Sequence, residues 1–214
     1  MPELPEVETV RCGLEPVMAG RRVLRLDVRR PDLRFPFPER FAARVEGRRI
    51  DALGRRAKYL TAALESGETL VMHLGMSGRF TIAAAAGSAP AAGHGVVGEF
   101  VHATAGEARH DHVVFHMEGG TAVTYNDPRR FGFMVMAEAG QLEAHPLIRG
   151  LGVEPLDDAL SPVYLARRAQ GREVDLKAFL LDQHVVAGLG NIYVSEALFR
   201  AGLLPHRAAG CLAT

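Results

Sequence analysis

Apolar positions recur at helical spacing at the start of the chain, at Val7, Val10, Leu14, Val17 and Met18. Pro5 suits the first helical position, Glu6 and Glu8 suit the first turn, and Gly20 supplies a stop. The pattern then changes to short β-rich runs over 23–28, 48–53, 59–64, 69–73, 112–117, 121–125 and 131–136. Turn signals such as Ser66-Gly67 and Gly119-Gly120 divide them. Many short strands without interleaved helices predict a β-sandwich or barrel. Residues 83–109, rich in Ala, Gly, Ser and Pro, read as a mobile insertion in that pattern. After about residue 139 the spacing becomes helical again. Ser161-Pro162 caps a segment ending near Gly171, 175–183 forms a second helix, and 192–201 forms a third with Gly202 as its stop. The expected fold class is α+β: an N-terminal helix and β-sandwich over 1–138, then an all-α domain over 139–214, with the boundary falling between 138 and 150.

Composition narrows the classes open to such a chain. The 214 residues are 48% hydrophobic and 23% charged, ordinary for a soluble globular protein with a buried core. No apolar run approaches the roughly 20 residues of a membrane span. The start, Met1-Pro2-Glu3-Leu4-Pro5-Glu6, has neither the basic nor the apolar region of a signal peptide, so a cytoplasmic location is expected. Two cysteines, Cys12 and Cys211, exclude a disulfide framework and a four-cysteine zinc site.

The net charge of zero conceals a segregation: 13 Lys+Arg against 5 Asp+Glu from Arg21 to Lys58, and 12 against 20 elsewhere. A basic segment of this kind indicates an anionic partner, nucleic acid above all, or else a solvated basic face. Only Lys58 and Lys177 among the 25 basic residues are lysines. Lys58, in Arg55-Arg56-Ala57-Lys58-Tyr59-Leu60, therefore stands out, because a lysine can give up its proton where an arginine cannot. It could also be a plain phosphate contact.

Several segments could carry chemistry. Pro2 follows the initiator methionine, and removal of Met1 before a small residue exposes a secondary amine. An α-amino group titrates near 7.7–8.0, so part of it is neutral at physiological pH and can attack an electrophilic carbon. Glu3 and Glu6 beside it could perform acid–base work, although proline and acidic residues also belong at a helix start. Gly188-Leu189-Gly190-Asn191 precedes a helix with Asn191 as a candidate N-cap, an arrangement that favours phosphate but also serves as an ordinary turn. The turn 125–132, Tyr-Asn-Asp-Pro-Arg-Arg-Phe-Gly, exposes Arg129 and Phe131 as a cation beside an aromatic wedge of the kind that unstacks DNA. Met76 sits at the tip of another turn, His73-Leu74-Gly75-Met76-Ser77-Gly78. His110-Asp111-His112 places two histidines on one strand face without a third ligand, so a phosphate contact or packing is favoured over a metal.

Together the blocks Met1–Val10, Arg55–Leu60, His73–Gly78, Arg109–Val113, Asp127–Gly132 and Val186–Tyr193, in this order, resemble formamidopyrimidine-DNA glycosylase, the bacterial repair enzyme for oxidised purines, over almost the whole chain. The resemblance implies that the all-α part is a helix–two-turn–helix domain. It implies a base excision repair glycosylase with AP lyase activity on double-stranded DNA that carries oxidised purines, such as 8-oxoguanine and formamidopyrimidines, or abasic sites. A monomer in the bacterial cytoplasm, associated with the nucleoid, is expected. On this reading the damaged nucleotide is flipped out of the duplex. Pro2 forms a Schiff base with the sugar that drives β,δ-elimination, Glu3 helps to open the sugar, Glu6 supports the N-terminus, and Lys58 contacts the lesion phosphate and assists proton transfer. Met76, Arg129 and Phe131 fill the void. His73, His110 and Asn191, with Arg172, hold phosphates. The family continues to a four-cysteine zinc finger with one zinc ion. This chain stops at Thr214, so a fragment or shortened member without cofactor or metal is expected, with reduced activity.

Three other readings compete: a damaged-DNA-binding remnant without catalysis, an endonuclease VIII-like activity on oxidised pyrimidines, and a tautomerase that uses the N-terminal proline as a base. The last leaves the basic segment and the phosphate-type loop unexplained.

Overall fold

The computed structural model describes residues 2–83 and 107–213, so the expectation for 83–109 lies almost wholly outside the described residues. The described chain forms two compact units, residues 1–143 and 144–214.

The first unit opens with helix α1 (Leu4–Met18), whose buried residues Leu4, Val7, Val10, Leu14 and Met18 form one stripe. Glu3 is its N-cap, so Pro5 occupies the second helical position rather than the first. Gly20 follows at φ 73°, the left-handed conformation that lets the chain turn away. Eight strands come next: β1 (Val23–Val28), β2 (Ile50–Arg56), β3 (Tyr59–Leu64), β4 (Thr69–His73), β5 (Arg79–Ala83), β6 (Asp111–Met117), β7 (Ala122–Asn126) and β8 (Phe133–Ala137). A short helix, α2 (Phe41–Val45), lies between β1 and β2. The strands make two antiparallel four-stranded sheets, ordered β1-β6-β7-β5 and β2-β3-β4-β8. Leu26, Phe80, Phe115 and Tyr125 from one sheet share a single core with Leu60, Leu70, Met72 and Met134 from the other, and with α1. This is a β-sandwich with its helix packed chiefly on β2.

Two elements escape the sequence pattern. β5 pairs with β7 although its segment reads as the approach to an insertion. α2 has only five residues, too few for a periodic signal. The expected strand at 131–136 is shifted by two residues, because Arg129 to Gly132 stay in the loop.

The second unit holds α3 (Pro162–Ala169), α4 (Leu176–Leu181) and α5 (Asn191–Arg200). Ser161 caps α3 by accepting from the Tyr164 amide at 3.1 Å. Leu176, Phe179, Val185, Val186, Val194 and Leu198 form its core. Residues 139–160, before the first of the three expected helices, contain turns.

Candidate active site and nucleic-acid interface

The capping of α1 fixes the start of the chain. The Glu3 backbone N–H donates to Glu6 Oε2 at 2.8 Å, while the Glu3 side chain accepts from the Glu6 amide. This reciprocal pair satisfies two helix-end donors and sets both carboxylates next to Pro2. One turn further on, Glu8 Oε2 accepts from Arg55 Nε at 2.8 Å, and Arg55 also donates to the Ala57 carbonyl at 3.0 Å. Burial pushes the Glu8 carboxyl up, but Arg11 and Arg55 outweigh it and hold Glu8 below the usual range. The Glu8–Arg55 pair thus ties α1 to the β2–β3 hairpin.

That hairpin carries Lys58. Arg56 pairs with Tyr59 across a two-residue turn, and Ala57 adopts φ 51°, a left-handed conformation that is costly for a residue with a Cβ. Lys58 is 8% exposed. Desolvation lowers its pKa, and the negative charges of Glu3 and Glu6 act in the opposite direction. The structure therefore brings Lys58 into the field of both carboxylates at the start of α1, which sequence alone could not do across 52 residues.

His73, at the end of β4, lies half-buried in an aromatic stack. Its ring is 5.0 Å from Phe133 and 5.3 Å from Tyr59, and Phe133 is 5.1 Å from Phe35. Burial, then the charges of Lys58 and Arg34, push its pKa down to about 4. His73 Nδ1 accepts from the Gly75 amide at 3.0 Å, so the neutral ring carries its proton on Nε2 as a donor. Arg34 lies over the Phe35 ring at 5.5 Å, and its backbone N–H donates to the Gly132 carbonyl at 3.2 Å. Neither Arg34 nor Phe35 stands out in the sequence, where both lie in an irregular segment between β1 and α2. The adjacency of a cation and an aromatic is the available signal.

The loops 74–78 and 127–132 meet back to back. Gly75, at φ 64°, sits against the Phe131–Gly132 backbone, where a Cβ would clash. Met76 and Phe131 are 43% and 44% exposed, and Arg129 lies 4.7 Å over the Phe131 ring. Arg130, between them, takes φ 57°. Beneath the tips lies Asp127, fully buried. Its carboxylate accepts from Ser77 Oγ, from the Gly132 amide at 2.8 Å and from the Tyr125 hydroxyl at 3.3 Å. Asp127 and Ser77 do not stand out in the sequence, because an Asp-Pro turn and a loop serine are common.

His110 ends a 3-10 turn (Ala108–His110), where Arg109 Nε donates to its Nε2 at 3.1 Å. Its carbonyl accepts from the Asp127 amide at 3.1 Å. His112 is buried and its Nε2 bonds the Asp127 carbonyl at 2.8 Å, which makes it part of the loop's support. In the second unit Gly190, not Asn191, is the N-cap of α5, and Asn191 is its exposed first residue. Gln183 shapes the preceding loop: its Oε1 accepts from the Gly188 amide and its Nε2 donates to the Leu189 carbonyl, both at 2.9 Å. Arg172 is exposed between α3 and α4, and its carbonyl accepts from the Gly210 amide.

The basic segment is less positive in space than along the chain. Arg22, Arg25, Arg29, Arg30, Arg44, Arg49 and Arg55 each pair with a carboxylate. Among the described residues no group of three or more His, Cys, Asp or Glu could hold a metal. The family's four-cysteine zinc site does not fit this chain, whose cysteines are Cys12 on α1 and Cys211 in the second unit.

A β-sandwich with two carboxylates at its helix start and a buried lysine in their field is joined in sequence to a small all-α unit, a two-part architecture. Residues 1–134 match the formamidopyrimidine-DNA glycosylase N-terminal domain, and residues 151–214 match its H2TH domain. The chain belongs to the formamidopyrimidine-DNA glycosylase family. It is 60% identical over 212 residues to the formamidopyrimidine-DNA glycosylase of Methylocella silvestris, covering 99% of this chain and 70% of that protein. It is 58% identical over 217 residues to that of Brucella ovis, covering 100% and 72%. The crystal structure of the Fpg protein of Thermus thermophilus superposes with a TM-score of 0.76 at 38% identity, over 98% of this chain and 68% of that one. The Lactococcus lactis enzyme bound non-covalently to DNA containing an AP site does so with a TM-score of 0.80 at 27% identity, over 98% and 73%.

Proposed function

We propose that this chain is a base excision repair glycosylase and AP lyase acting on duplex DNA with oxidised purines or abasic sites. One observation carries the reading: Lys58, buried and with its pKa lowered, lies in the field of Glu3 and Glu6, the two carboxylates that cap the helix beginning just after Pro2.

Once Met1 is removed, the Pro2 nitrogen is a secondary amine. Its lone pair attacks C1′ of the flipped nucleotide, the bond to the damaged base breaks, and Glu3 acts as the acid that helps to open the sugar ring. The resulting iminium ion acidifies the sugar C2′ proton, and loss of the 3′ and then the 5′ phosphate follows. Glu6 holds the Glu3 amide and thereby the chain start. Lys58 binds the lesion phosphate and assists proton transfer. His73, neutral with Nε2–H outward from its Nδ1 bond, donates to phosphate without a charge. His110, Asn191 and Arg172 are proposed as further phosphate contacts. Met76, Arg129 and Phe131 occupy the space the base leaves, consistent with their exposure. The mechanism needs no metal or organic cofactor, and the partner is damaged duplex DNA.

The test is borohydride reduction with a duplex containing 8-oxoguanine. A covalent protein–DNA adduct is expected from protein with Pro2 at its terminus, and none from protein that retains Met1, whose Pro2 nitrogen is an amide. Binding without an adduct would identify a non-catalytic damage-binding protein. An adduct with the Met1-retaining protein would move the nucleophile to another amine.

A further inference from the structure

We propose that Asp127 and Ser77 are positioning residues that lock the 74–78 and 127–132 loops into one inserting unit, so that Met76 and the Arg129–Phe131 pair enter the duplex together. This rests on the reading of those three side chains as void fillers.

Three features make the tie. First, Ser77 Oγ donates to Asp127 Oδ1 and accepts from the Arg129 backbone amide at 3.2 Å, so one hydroxyl spans both loops. Second, Asp127 Oδ2 accepts from the Gly132 amide and from the Tyr125 hydroxyl. Burial, and the neighbouring Asp127 charge, raise the Tyr125 pKa well above its ordinary value, so that hydroxyl stays a donor. Third, Gly75 and Gly132 lie in direct backbone contact. A Cβ on Gly132 would collide with the Tyr125 hydroxyl and the His73 carbonyl. The loops therefore have no room to slide past one another, and the buried carboxylate has its acceptor sites filled from both sides. A buried network of this kind is rigid when complete and costly when one member is removed.

The functional consequence is cooperativity. Unstacking a base costs a few kcal/mol, and a wedge offsets that cost only if its parts arrive in register. If the loops move as one, Met76 and Phe131 insert in a single step, so losing either side chain already disfavours that insertion and the second loss adds little. If they moved independently, the two losses would multiply.

The experiment is a double-mutant cycle of Met76→Ala and Phe131→Ala, in the parent and in Ser77→Ala. The primary readout is equilibrium affinity for a duplex carrying a tetrahydrofuran abasic analogue. Extrusion is followed by 2-aminopurine fluorescence next to 8-oxoguanine. In the parent the double variant should lose about as much as the worse single variant, whereas in Ser77→Ala the two losses should multiply. Ser77→Ala alone should slow 8-oxoguanine excision about tenfold, with cleavage at a pre-formed abasic site falling about threefold or less. Its Tm should shift by no more than about 3 °C. Asp127→Asn, which replaces one of the two acceptor oxygens with a donor, should reproduce the loss of coupling. Losses that multiply in the parent, or equal slowing of both reactions by Ser77→Ala, would overturn the proposal. Because affinity is measured on an uncleavable duplex, a parent that binds but excises nothing would refute the glycosylase reading while the cycle still decides the coupling.

Discussion

Two duties are proposed for Lys58, and arginine could share only the electrostatic one. Desolvation lowers its pKa from the ordinary lysine value, and the negative charges of Glu3 and Glu6 oppose that shift. Lys58→Arg keeps the charge and removes the accessible deprotonated state. Strand cleavage should fall by at least about tenfold while duplex affinity stays within about threefold, because only the proton-transfer role is removed. Single-turnover cleavage and a binding titration on the same preparation check this, and wild-type turnover would reduce Lys58 to an electrostatic contact. His73 provides a pH signature. Its native pKa of about 4 lies below the ordinary 6.5 of the unfolded chain. Between these values the unfolded state takes a proton that the native ring refuses. The stabilisation is complete above pH 6.5 and is lost as pH falls toward 4. Its ceiling is about 3 kcal/mol. Urea unfolding from pH 7 to 4 should show a slope that His73→Gln flattens, and an unchanged slope would place the titration elsewhere.

At the scale of elements, the site is a set of turns held by strands rather than a set of strands. The β2–β3 turn presents Lys58, the end of β4 presents His73, the 74–78 loop presents Met76, and the β7–β8 loop presents Arg129 and Phe131. Two residues with a Cβ in the left-handed region, Ala57 and Arg130, sit in these turns. Such strain persists where surrounding contacts over-determine it: the Arg55–Ala57 bond in one case, the Asp127 network in the other. Phe131, 44% exposed, contributes little to the core. Phe131→Ala should therefore change Tm by less than about 2 °C. It should also weaken binding to lesion-containing DNA, since a wedge acts only in the complex. Differential scanning calorimetry together with a binding titration decides this. A drop of many degrees would make Phe131 a packing residue.

At the scale of the molecule, charge pairing decides how DNA is held. At least seven arginines of the 21–58 segment face carboxylates, and a paired arginine displaces few counterions from a phosphate. The cations proposed to contact DNA are Lys58, Arg129 and, in the second unit, Arg172. With about three such contacts, the slope of log K against log salt should be about −3, well short of what 13 basic residues would give. Fluorescence anisotropy across a salt series measures it directly. A slope near −10 would mean that the ion pairs open on binding. The chain spans 70% and 72% of the Methylocella and Brucella ovis proteins it matches.

Local pattern was enough for α1, for β1, β3 and β4 with their observed ends, and for the three helices of the second unit. Each of these rests on short-range periodicity and caps. The six blocks of residues were enough for the family. Sequence could not supply β5, which exists because β7 pairs with it, or the start of β8, which the Asp127 loop holds back. Nor could it tell that Gly190 caps α5, since both neighbours of that turn are good caps. Long-range effects account for what only the tertiary structure decided. These are the burial that lowers the pKa of Lys58 and His73, the carboxylates that neutralise the basic segment, and the buried Asp127 that joins two loops about fifty residues apart. Electrostatic shifts and buried hydrogen bonds depend on which groups exclude water together. That is a property of packing, to which spacing along the chain is blind.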